Sequence, residues 1–299
     1  MKRLLLFLCF VPVICFGQSF RADRTRTNPN VADGNGYCFR GHLATETSAY
    51  CTEATALFAR MTTPPNDARK TAINNFIVGA KAAGVWAKLD VVQMYAAADQ
   101  QASLLNWIKD DSAITVASPG FTADAGWTMN TPTGYIDTRF NPTASGINYT
   151  QNSATFGFSI HTAADVGSGS NGSVIGGSYV YVWLASTTNF SINFNSNSVT
   201  AHAGVTAKNH YYTAVRSTSS AGTTYIDKSA VSYTGKTSVT PPNGSVYVGC
   251  TNVGSGMAEP NKYEYSCFYA GSALSTTEVE ALVDLIEAYM DAVGAGILP

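Results

Sequence analysis

Short runs of alternating apolar and polar residues occupy the chain from about residue 113 to residue 270. A period of two is typical of β-strands with one buried face, and turn residues such as Asn141-Pro142 and Gly176-Gly177 separate the runs. Many short strands at this spacing, without alternating helices, predict an antiparallel β-sandwich. The candidate strands are Ile114–Ala117, Gly134–Phe140, Ala154–His161, Tyr179–Ala185, Phe190–Phe194, Val199–Ala203, Tyr211–Ser217, Thr223–Ile226, Ala230–Tyr233, Ser245–Cys250 and Tyr265–Ala270.

A single helix is predicted after the last strand. Ser275-Thr276-Thr277-Glu278 is a capping box, in which the serine hydroxyl and the glutamate carboxylate accept the free N–H groups of the first turn. The apolar residues that follow recur at helical spacing as far as Gly294, where the helix is expected to end. This apolar stripe is expected to pack on the sandwich or on the helical unit, with an oligomer contact as the alternative.

Residues 53–111 are predicted to form a small helical unit ahead of the sandwich, which spans residues 112–299. Pro64-Pro65 ends a first helix, and Asn66 or Asp67 can cap the next one. Asp99 is expected to cap a further helix that carries Leu104, Leu105, Trp107 and Ile108. The apolar stretch from Trp86 to Met94 fits either a strand or a turn of helix.

The N-terminus has the order of a secretory signal. Met1-Lys2-Arg3 precedes an apolar run from Leu4 to Phe16 and the small residue Gly17, so residues 1–17 are predicted to be a signal peptide. That run is short for a bilayer span, and no membrane span is expected in the mature chain. Residues 18–52 are polar and rich in Gly and Asn, which predicts an extended arm.

Removal of the signal would leave four cysteines: Cys38, Cys51, Cys250 and Cys267. An even number in an exported chain predicts disulfides. The two close pairs are Cys38–Cys51 and Cys250–Cys267, and the sequence leaves the other pairings open. The cysteines lack the Cys-x-x-Cys or nearby histidine spacing of a zinc site, so no metal site is predicted.

The charge pattern excludes one class of partner. Charged residues make up 13% of the chain and the net charge is −2, so the basic stripe of a nucleic-acid binder is missing. Residues 166–207 contain no Asp, Glu, Lys or Arg. A neutral surface of hydroxyls and amides is common in extracellular β-proteins and in viral fibres.

The order of patterns in the last ninety residues adds a family resemblance. An aromatic strand comes first, and a hairpin, two further strands and the capped helix follow: His210–Arg216, Thr223–Ser229, Ser245–Cys250, Cys267–Gly271 and Leu274–Glu278. This order resembles the second half of a laminin-G-like, concanavalin-A-like β-sandwich. The resemblance implies a jelly-roll sandwich that is more often used to bind or to build than to catalyse.

A second resemblance covers residues 53–160. Ala56–Met61, Gly84–Asp90, Leu105-Asn106-Trp107, Phe121–Asp124 and Tyr135–Pro142 occur in the order of a helical-plus-sandwich unit that is similar to tailed-bacteriophage virion proteins of the tail-fibre or decoration type. The resemblance implies a virion or cell-surface subunit whose partners are copies of itself or neighbouring surface proteins.

The sequence does not predict an enzyme. Glycan-cleaving sandwiches place two carboxylates within reach of one glycosidic bond. Glu259 and Glu264 are separated by Pro260 and do not share a strand face, and Asp137 stands alone in its strand. No cofactor is predicted either. Calcium is a candidate at Asp165, Asn171, Asp227 and Asn252, whose spacing makes no motif.

Aromatic residues on a neutral surface can stack on sugar rings. Trp127 and Tyr263, in loop-like contexts, are therefore the predicted ligand-binding residues, within a larger aromatic pool that includes Tyr135. The predicted function is a non-enzymatic attachment or structural protein, extracellular or on a virion surface, with glycans as candidate ligands. The alternatives are a stand-alone secreted carbohydrate-binding module or adhesin and, third, a glycoside hydrolase.

Overall fold

A computed structural model describes residues 49–163, 173–177, 180–186, 189–196, 200–203 and 209–298. The chain from Thr47 to Pro299 forms one compact unit, and the predicted division at residue 112 falls inside it. The predicted signal peptide and most of the predicted arm lie outside the described residues.

The described residues contain four α-helices and one 3₁₀ turn, at Trp86–Lys88. The helices are α1 (Thr52–Arg60), α2 (Asp67–Ala82), α3 (Gln100–Ser103) and α4 (Thr276–Val293). Helix α2 begins at a predicted cap, because the Asn66 side chain accepts the N–H of Arg69. The capping box of α4 is confirmed: Ser275 Oγ accepts the Glu278 N–H, and Glu278 Oε2 accepts the Ser275 N–H.

Seventeen strands are assigned within the described residues. They are β1 (Leu89–Met94), β2 (Ile114–Val116), β3 (Gly120–Thr122), β4 (Gly126–Thr128), β5 (Tyr135–Asp137), β6 (Ala154–Ala163), β7 (Ser173–Gly177), β8 (Val180–Ser186), β9 (Asn189–Phe194), β10 (Thr200–Ala203), β11 (His210–Arg216), β12 (Gly222–Ile226), β13 (Ser229–Tyr233), β14 (Tyr247–Val248), β15 (Thr251–Asn252), β16 (Met257–Ala258) and β17 (Tyr263–Gly271).

The strands form two sheets, and the predicted fold class is confirmed. An eight-stranded sheet has the order β13-β12-β11-β6-β17-β4-β3, with β1 also paired to β17. A nine-stranded sheet has the order β10-β9-β8-β7-β14-β5-β2, with β15 also paired to β7 and β16 paired to β15. Neighbouring strands are antiparallel apart from the β15–β7 pair. The result is an antiparallel β-sandwich closed by a C-terminal helix.

Two apolar cores lie on opposite faces of the eight-stranded sheet. The helix-side core joins α1, α2 and α4 to that sheet, and the sandwich core lies between the two sheets. Strand β17 is buried at every residue and contributes to both: Cys267 and Tyr269 belong to the helix-side core, whereas Phe268 and Ala270 belong to the sandwich core. The eight-stranded sheet is therefore the middle layer of three.

The helix after Asp99 is shorter than predicted. Asp99 does cap it, through the Ala102 N–H at 2.9 Å, but the helix ends at Ser103. The following segment pairs with β1 instead: the Trp107 N–H donates to the Val92 carbonyl at 2.8 Å, and Asn106 Oδ1 accepts the Val92 N–H. Since β1 pairs with β17, this part of the predicted helical unit is built into the middle sheet.

Arg216 is a fully buried cation that links the two sheets. It lies on β11, and its Nε and Nη2 atoms donate to the Phe194 carbonyl of β9 at 2.9 and 2.7 Å. Its Nη1 donates to the Lys236 carbonyl at 3.0 Å, and its guanidinium lies 5.6 Å from the centre of the Tyr233 ring. A buried charge is costly unless its donors are satisfied, and here main-chain carbonyls satisfy them.

We expect Arg216→Met to lower the free energy of unfolding by about 3 kcal/mol, because buried carbonyls lose their donors while the apolar stem is kept. Urea denaturation measures the change, and Lys262→Met, at an exposed position, is the matched control. A loss no larger than that of the control would show that Arg216 does not hold the sheets together.

The predicted Cys250–Cys267 disulfide is wrong, since both residues are buried free thiols. Cys267 belongs to the helix-side core, and the Ser159 hydroxyl donates to its Sγ at 3.3 Å. Cys250 is also fully buried, in the connection between β14 and β15. Burial raises the pKa of each to about 12. Cys51 is also a free thiol, and Cys38 lies outside the described residues.

Both buried thiols should resist iodoacetamide in the native protein at about pH 8, because the reactive thiolate is suppressed and access is blocked. After denaturation without reductant, peptide mass spectrometry should find Cys250 and Cys267 alkylated. Residues that stay unlabelled until reductant is added would indicate a disulfide and contradict the structure.

Candidate functional site

Two tyrosines stack on the outer face of the nine-stranded sheet. Strands β5 and β14 pair in that sheet, and their Ile136 and Val248 side chains point into the sandwich core. Successive strand residues point to opposite faces, so Tyr135 and Tyr247 point outward. Their ring centres are 4.5 Å apart and the ring planes differ by 29°. Both side chains are half-buried, which leaves part of each ring open to a ligand.

The neighbouring strands complete a surface that we call the tyrosine face: Ile114, Val116, Tyr135, Asp137 and Tyr247. Ile114 and Val116 of β2 pair with Asp137 and Tyr135 and therefore point the same way. On the other side, Tyr247 pairs with Gly176 of β7, where no side chain can rise beside the ring. The tyrosine face thus combines aromatic and aliphatic surface with one carboxylate.

The polar groups of the tyrosine face are suited to hydrogen bonding with neutral partners. Burial, and next the neighbouring Tyr247, raises the pKa of Tyr135 to about 12, so its hydroxyl is protonated at neutral pH. Asp137 Oδ1 accepts the Arg139 N–H at 2.9 Å, which fixes the carboxylate at the end of β5. The face therefore offers a hydroxyl donor and a carboxylate acceptor beside flat apolar surface.

Trp127 and Tyr263, the predicted ligand-binding residues, are both in the core instead. Trp127 is 2% exposed on β4, and its Nε1 donates to Ser103 Oγ at 2.9 Å. Tyr263 is 1% exposed at the start of β17. The prediction failed because the glycine-rich segment around Trp127 is a strand pair, β3 with β4, and β4 in turn pairs with β17. Tyr135 belongs to the aromatic pool named from the sequence, but its partner Tyr247 does not. The sequence could not indicate that partner, because the pairing of the two residues depends on the register of β5 and β14.

The acidic candidates are not brought together. Glu259 is exposed in a connection, whereas Glu264 is 7% exposed on β17 with the His161 ring nitrogen Nδ1 3.5 Å away. Asp137 belongs to the other sheet. Two of the four calcium candidates are described: Asp227 contacts His210 at 2.7 Å, and Asn252 donates to the Ser245 carbonyl. The other two, at positions 165 and 171, lie outside the described residues. Across the described ranges, no three His, Cys, Asp or Glu side chains are grouped as metal ligands.

None of the helices in the described part of the chain is both long and apolar enough to span a membrane. No protein-family model and no curated protein matches the sequence.

Solved structures match part of the chain at low identity. A Trypanosoma rangeli sialidase mutant with trans-sialidase activity is 9% identical, with a TM-score of 0.48 over 72% of this chain and 39% of its own. The binding domain of botulinum neurotoxin serotype D is 10% identical, with a TM-score of 0.48 over 67% and 52%. Domain 4 of an extracellular GH43 arabinanase from Geobacillus stearothermophilus, bound to arabinotriose, is 14% identical, with a TM-score of 0.42 over 66% and 98%.

The first two of these proteins are much longer than the matched region, since the chain spans 39% and 52% of their lengths. All three TM-scores are below 0.5, so the matches carry no functional argument. The assignment of the sandwich rests on the strand order of the two sheets, and the candidate site rests on the geometry of the tyrosine face.

The raised pKa of Tyr135 makes a pH-dependent contribution to stability. Unfolded tyrosine ionises near pH 10, whereas folded Tyr135 does so near 12. Between these values the unfolded chain binds fewer protons, so this contribution is present below pH 10 and is lost as pH rises towards 12. Urea denaturation should show a shallower fall in stability over this window for Tyr135→Phe than for the wild type. If the pH dependence of stability were the same in Tyr135→Phe as in the wild type, the raised pKa assigned to Tyr135 would be contradicted. Tyr50→Phe is the control for loss of a tyrosine elsewhere in the chain.

Proposed function

We propose that this protein is a non-enzymatic binding module that contacts glycans through the tyrosine face. The observation that carries the proposal is the stacked Tyr135–Tyr247 pair on the outer surface of the nine-stranded sheet. Tyrosine combines an apolar ring with a polar hydroxyl, so it can pack on the C–H face of a sugar and hydrogen-bond to its hydroxyls. Asp137, on the same face, adds an acceptor for sugar hydroxyls.

The flatness of the tyrosine face favours a chain of sugars over a single unit. Strands β2, β5, β14 and β7 are neighbours, so the face extends across several strands. Gly176 of β7 has no side chain that would interrupt it beside Tyr247. Neighbouring strands lie about 4.8 Å apart, so these four strands extend over about 15 Å and can contact consecutive sugar units of an extended glycan.

We assign the protein to the cell exterior or a virion surface, as an attachment protein. The secretory pattern of residues 1–17, the low charge and the phage-like order of residues 53–160 support this proposal. A secreted carbohydrate-binding module working alone uses the same face and differs in having no assembled partner. A glycoside hydrolase would release reducing ends from the bound polysaccharide, and we expect none.

Glycan-array binding followed by titration with the best glycan tests the proposal. Tyr135→Ala and Tyr247→Ala should each weaken binding about tenfold, because each removes stacking area and a hydroxyl. Tyr50→Ala, which removes a half-buried tyrosine packed on Phe58 in the helix-side core, should bind like the wild type. The proposal would be refuted if all three variants bound the glycan equally well, or if the wild type bound no glycan on the array.

A second candidate function, assembly with copies of the chain, is favoured by β13. This strand lies at the edge of the eight-stranded sheet, and Ser229 to Ser232 are all exposed, with Val231 46% exposed. An uncovered edge strand presents main-chain N–H and C=O groups that can pair with a strand of another molecule.

Sedimentation velocity tests this candidate. If β13 pairs with a second copy, the wild type should form dimers or larger assemblies at about 10 μM, and Val231→Lys should shift it to monomer because an edge lysine opposes strand pairing. Thr218→Lys, at an exposed turn, is the control. Assemblies that Val231→Lys leaves intact, or a wild type that is monomeric, would exclude this edge as the contact.

A further inference from the structure

The turn that leads into β14 carries the residue pair Asn243-Gly244. The pair lies between β13 and β14, outside any helix or strand, with Asn243 exposed and Gly244 partly exposed. Asn-Gly is a turn dipeptide, and two further copies, at 35–36 and 171–172, lie outside the described residues. Within the described part of the chain, Asn243-Gly244 is therefore the Asn-Gly pair that solvent can reach.

The turn is anchored on both sides, while the atoms at its tip are free. The Thr143 hydroxyl donates to the Pro242 carbonyl at 3.0 Å, and the Val246 N–H donates to a main-chain carbonyl at 2.9 Å. Between these anchors, the Gly244 N–H and the Asn243 Nδ2 have no hydrogen-bond partner among the described residues. Both nitrogens can therefore change their bonding without the loss of a hydrogen bond inside the protein.

The backbone does not require glycine at position 244. Its φ lies outside the left-handed region, and a Cβ built there would lie 3.4 Å from the nearest atom, Asn252 Nδ2, which is an ordinary contact. The effect of glycine here is instead to leave its amide nitrogen unshielded by a side chain. This nitrogen follows Asn243 directly, so a bond from it to Asn243 Cγ closes a five-membered ring.

A neighbouring side chain polarises the Asn243 amide. Asn141 Nδ2 donates to Asn243 Oδ1 at 3.1 Å. Asn141 is itself held in place, because its Oδ1 accepts the N–H groups of Thr143 and Ala144 at 3.0 Å each. A fixed donor at Oδ1 stabilises the negative charge that develops on this oxygen when a nucleophile adds to Cγ. The arrangement therefore favours attack on the Asn243 side chain.

We propose that Asn243 is a site of spontaneous deamidation, with water as the second reactant. The Gly244 nitrogen loses its proton to hydroxide and forms a bond to Asn243 Cγ. The Cγ–Nδ2 bond then breaks, and Nδ2 leaves as ammonia after taking a proton from water. Water adds to one of the two ring carbonyls and breaks its bond to the Gly244 nitrogen, which gives aspartate or isoaspartate. The sum is amide plus water to carboxylic acid plus ammonia, with no change of oxidation state.

The reaction changes both the charge and the main chain of this turn. It adds a carboxylate to a chain whose net charge is −2. The isoaspartate product also inserts a methylene into the main chain between the anchors at Pro242 and Val246. The proposal does not rest on glycan binding by the tyrosine face.

Incorporation of ¹⁸O measures the reaction at each asparagine. The native protein is incubated in H₂¹⁸O at mildly alkaline pH and is then digested with trypsin in ordinary water, which releases Asn243 and Asn252 in one peptide. Tandem mass spectrometry should find ¹⁸O-labelled acid at Asn243 accumulating about tenfold faster than at Asn252, which is followed by the β-branched Val253. Asn252 is an internal control because its Nδ2 donates to the Ser245 carbonyl and its Oδ1 accepts a main-chain N–H.

Two variants that preserve the turn test the assigned roles. Gly244→Ala should slow labelling of Asn243 about tenfold, because the methyl group shields the attacking nitrogen. Asn141→Asp keeps the acceptor for the two N–H groups but loses the Nδ2 donor, and should slow labelling about threefold. Ser255→Ala, in the exposed hairpin between β15 and β16, should react at the wild-type rate. The proposal is overturned if Asn243 is labelled no faster than Asn252, or if Gly244→Ala or Asn141→Asp reacts as fast as the wild type.

Discussion

Burial of β17 on both faces is the constraint on which the rest of the structure depends. All nine of its residues are buried, and from Cys267 to Ala270 they alternate between the helix-side core and the sandwich core. A strand in this position must be apolar on both sides, and Tyr263–Gly271 meets that demand with aromatic and small residues. The polar exceptions are bonded: the Ser266 hydroxyl donates to the Ala125 carbonyl.

The three-layer arrangement decides where function can lie. The helices cover one face of the middle sheet and the nine-stranded sheet covers the other, so the middle sheet offers little surface of its own. The outer face of the nine-stranded sheet is left for contact, and it holds the tyrosine face. Arg216 holds the two sheets together by hydrogen bonds to main-chain carbonyls, which is how a chain with few charged residues accommodates a buried cation.

Local signals in the sequence predicted the elements better than the site. The capping box at Ser275 and the cap at Asn66 depend on neighbouring residues, and both form as expected. The segment after Asp99 was predicted as helix because its apolar spacing is helical, yet pairing of Trp107 with Val92 takes the chain out of the helix. The prediction for Trp127 failed for a similar reason: its burial follows from the pairing of β4 with β17, which is distant in sequence. The Tyr135–Tyr247 stack likewise joins residues that are far apart in sequence. The alternation of apolar and polar residues can indicate which face of a strand each tyrosine occupies, but it cannot show that the two rings lie side by side.

Hydrogen–deuterium exchange with and without the bound glycan is the most direct test of the account. Peptides from β17 should exchange slowest in the free protein and should not change on binding, because that strand is already covered on both faces. Peptides containing Tyr135–Asp137 and Tyr247-Val248 should gain protection when the glycan binds. Rapid exchange of β17, or protection that appears elsewhere while these two segments are unaffected, would contradict both the layer order and the assigned contact face.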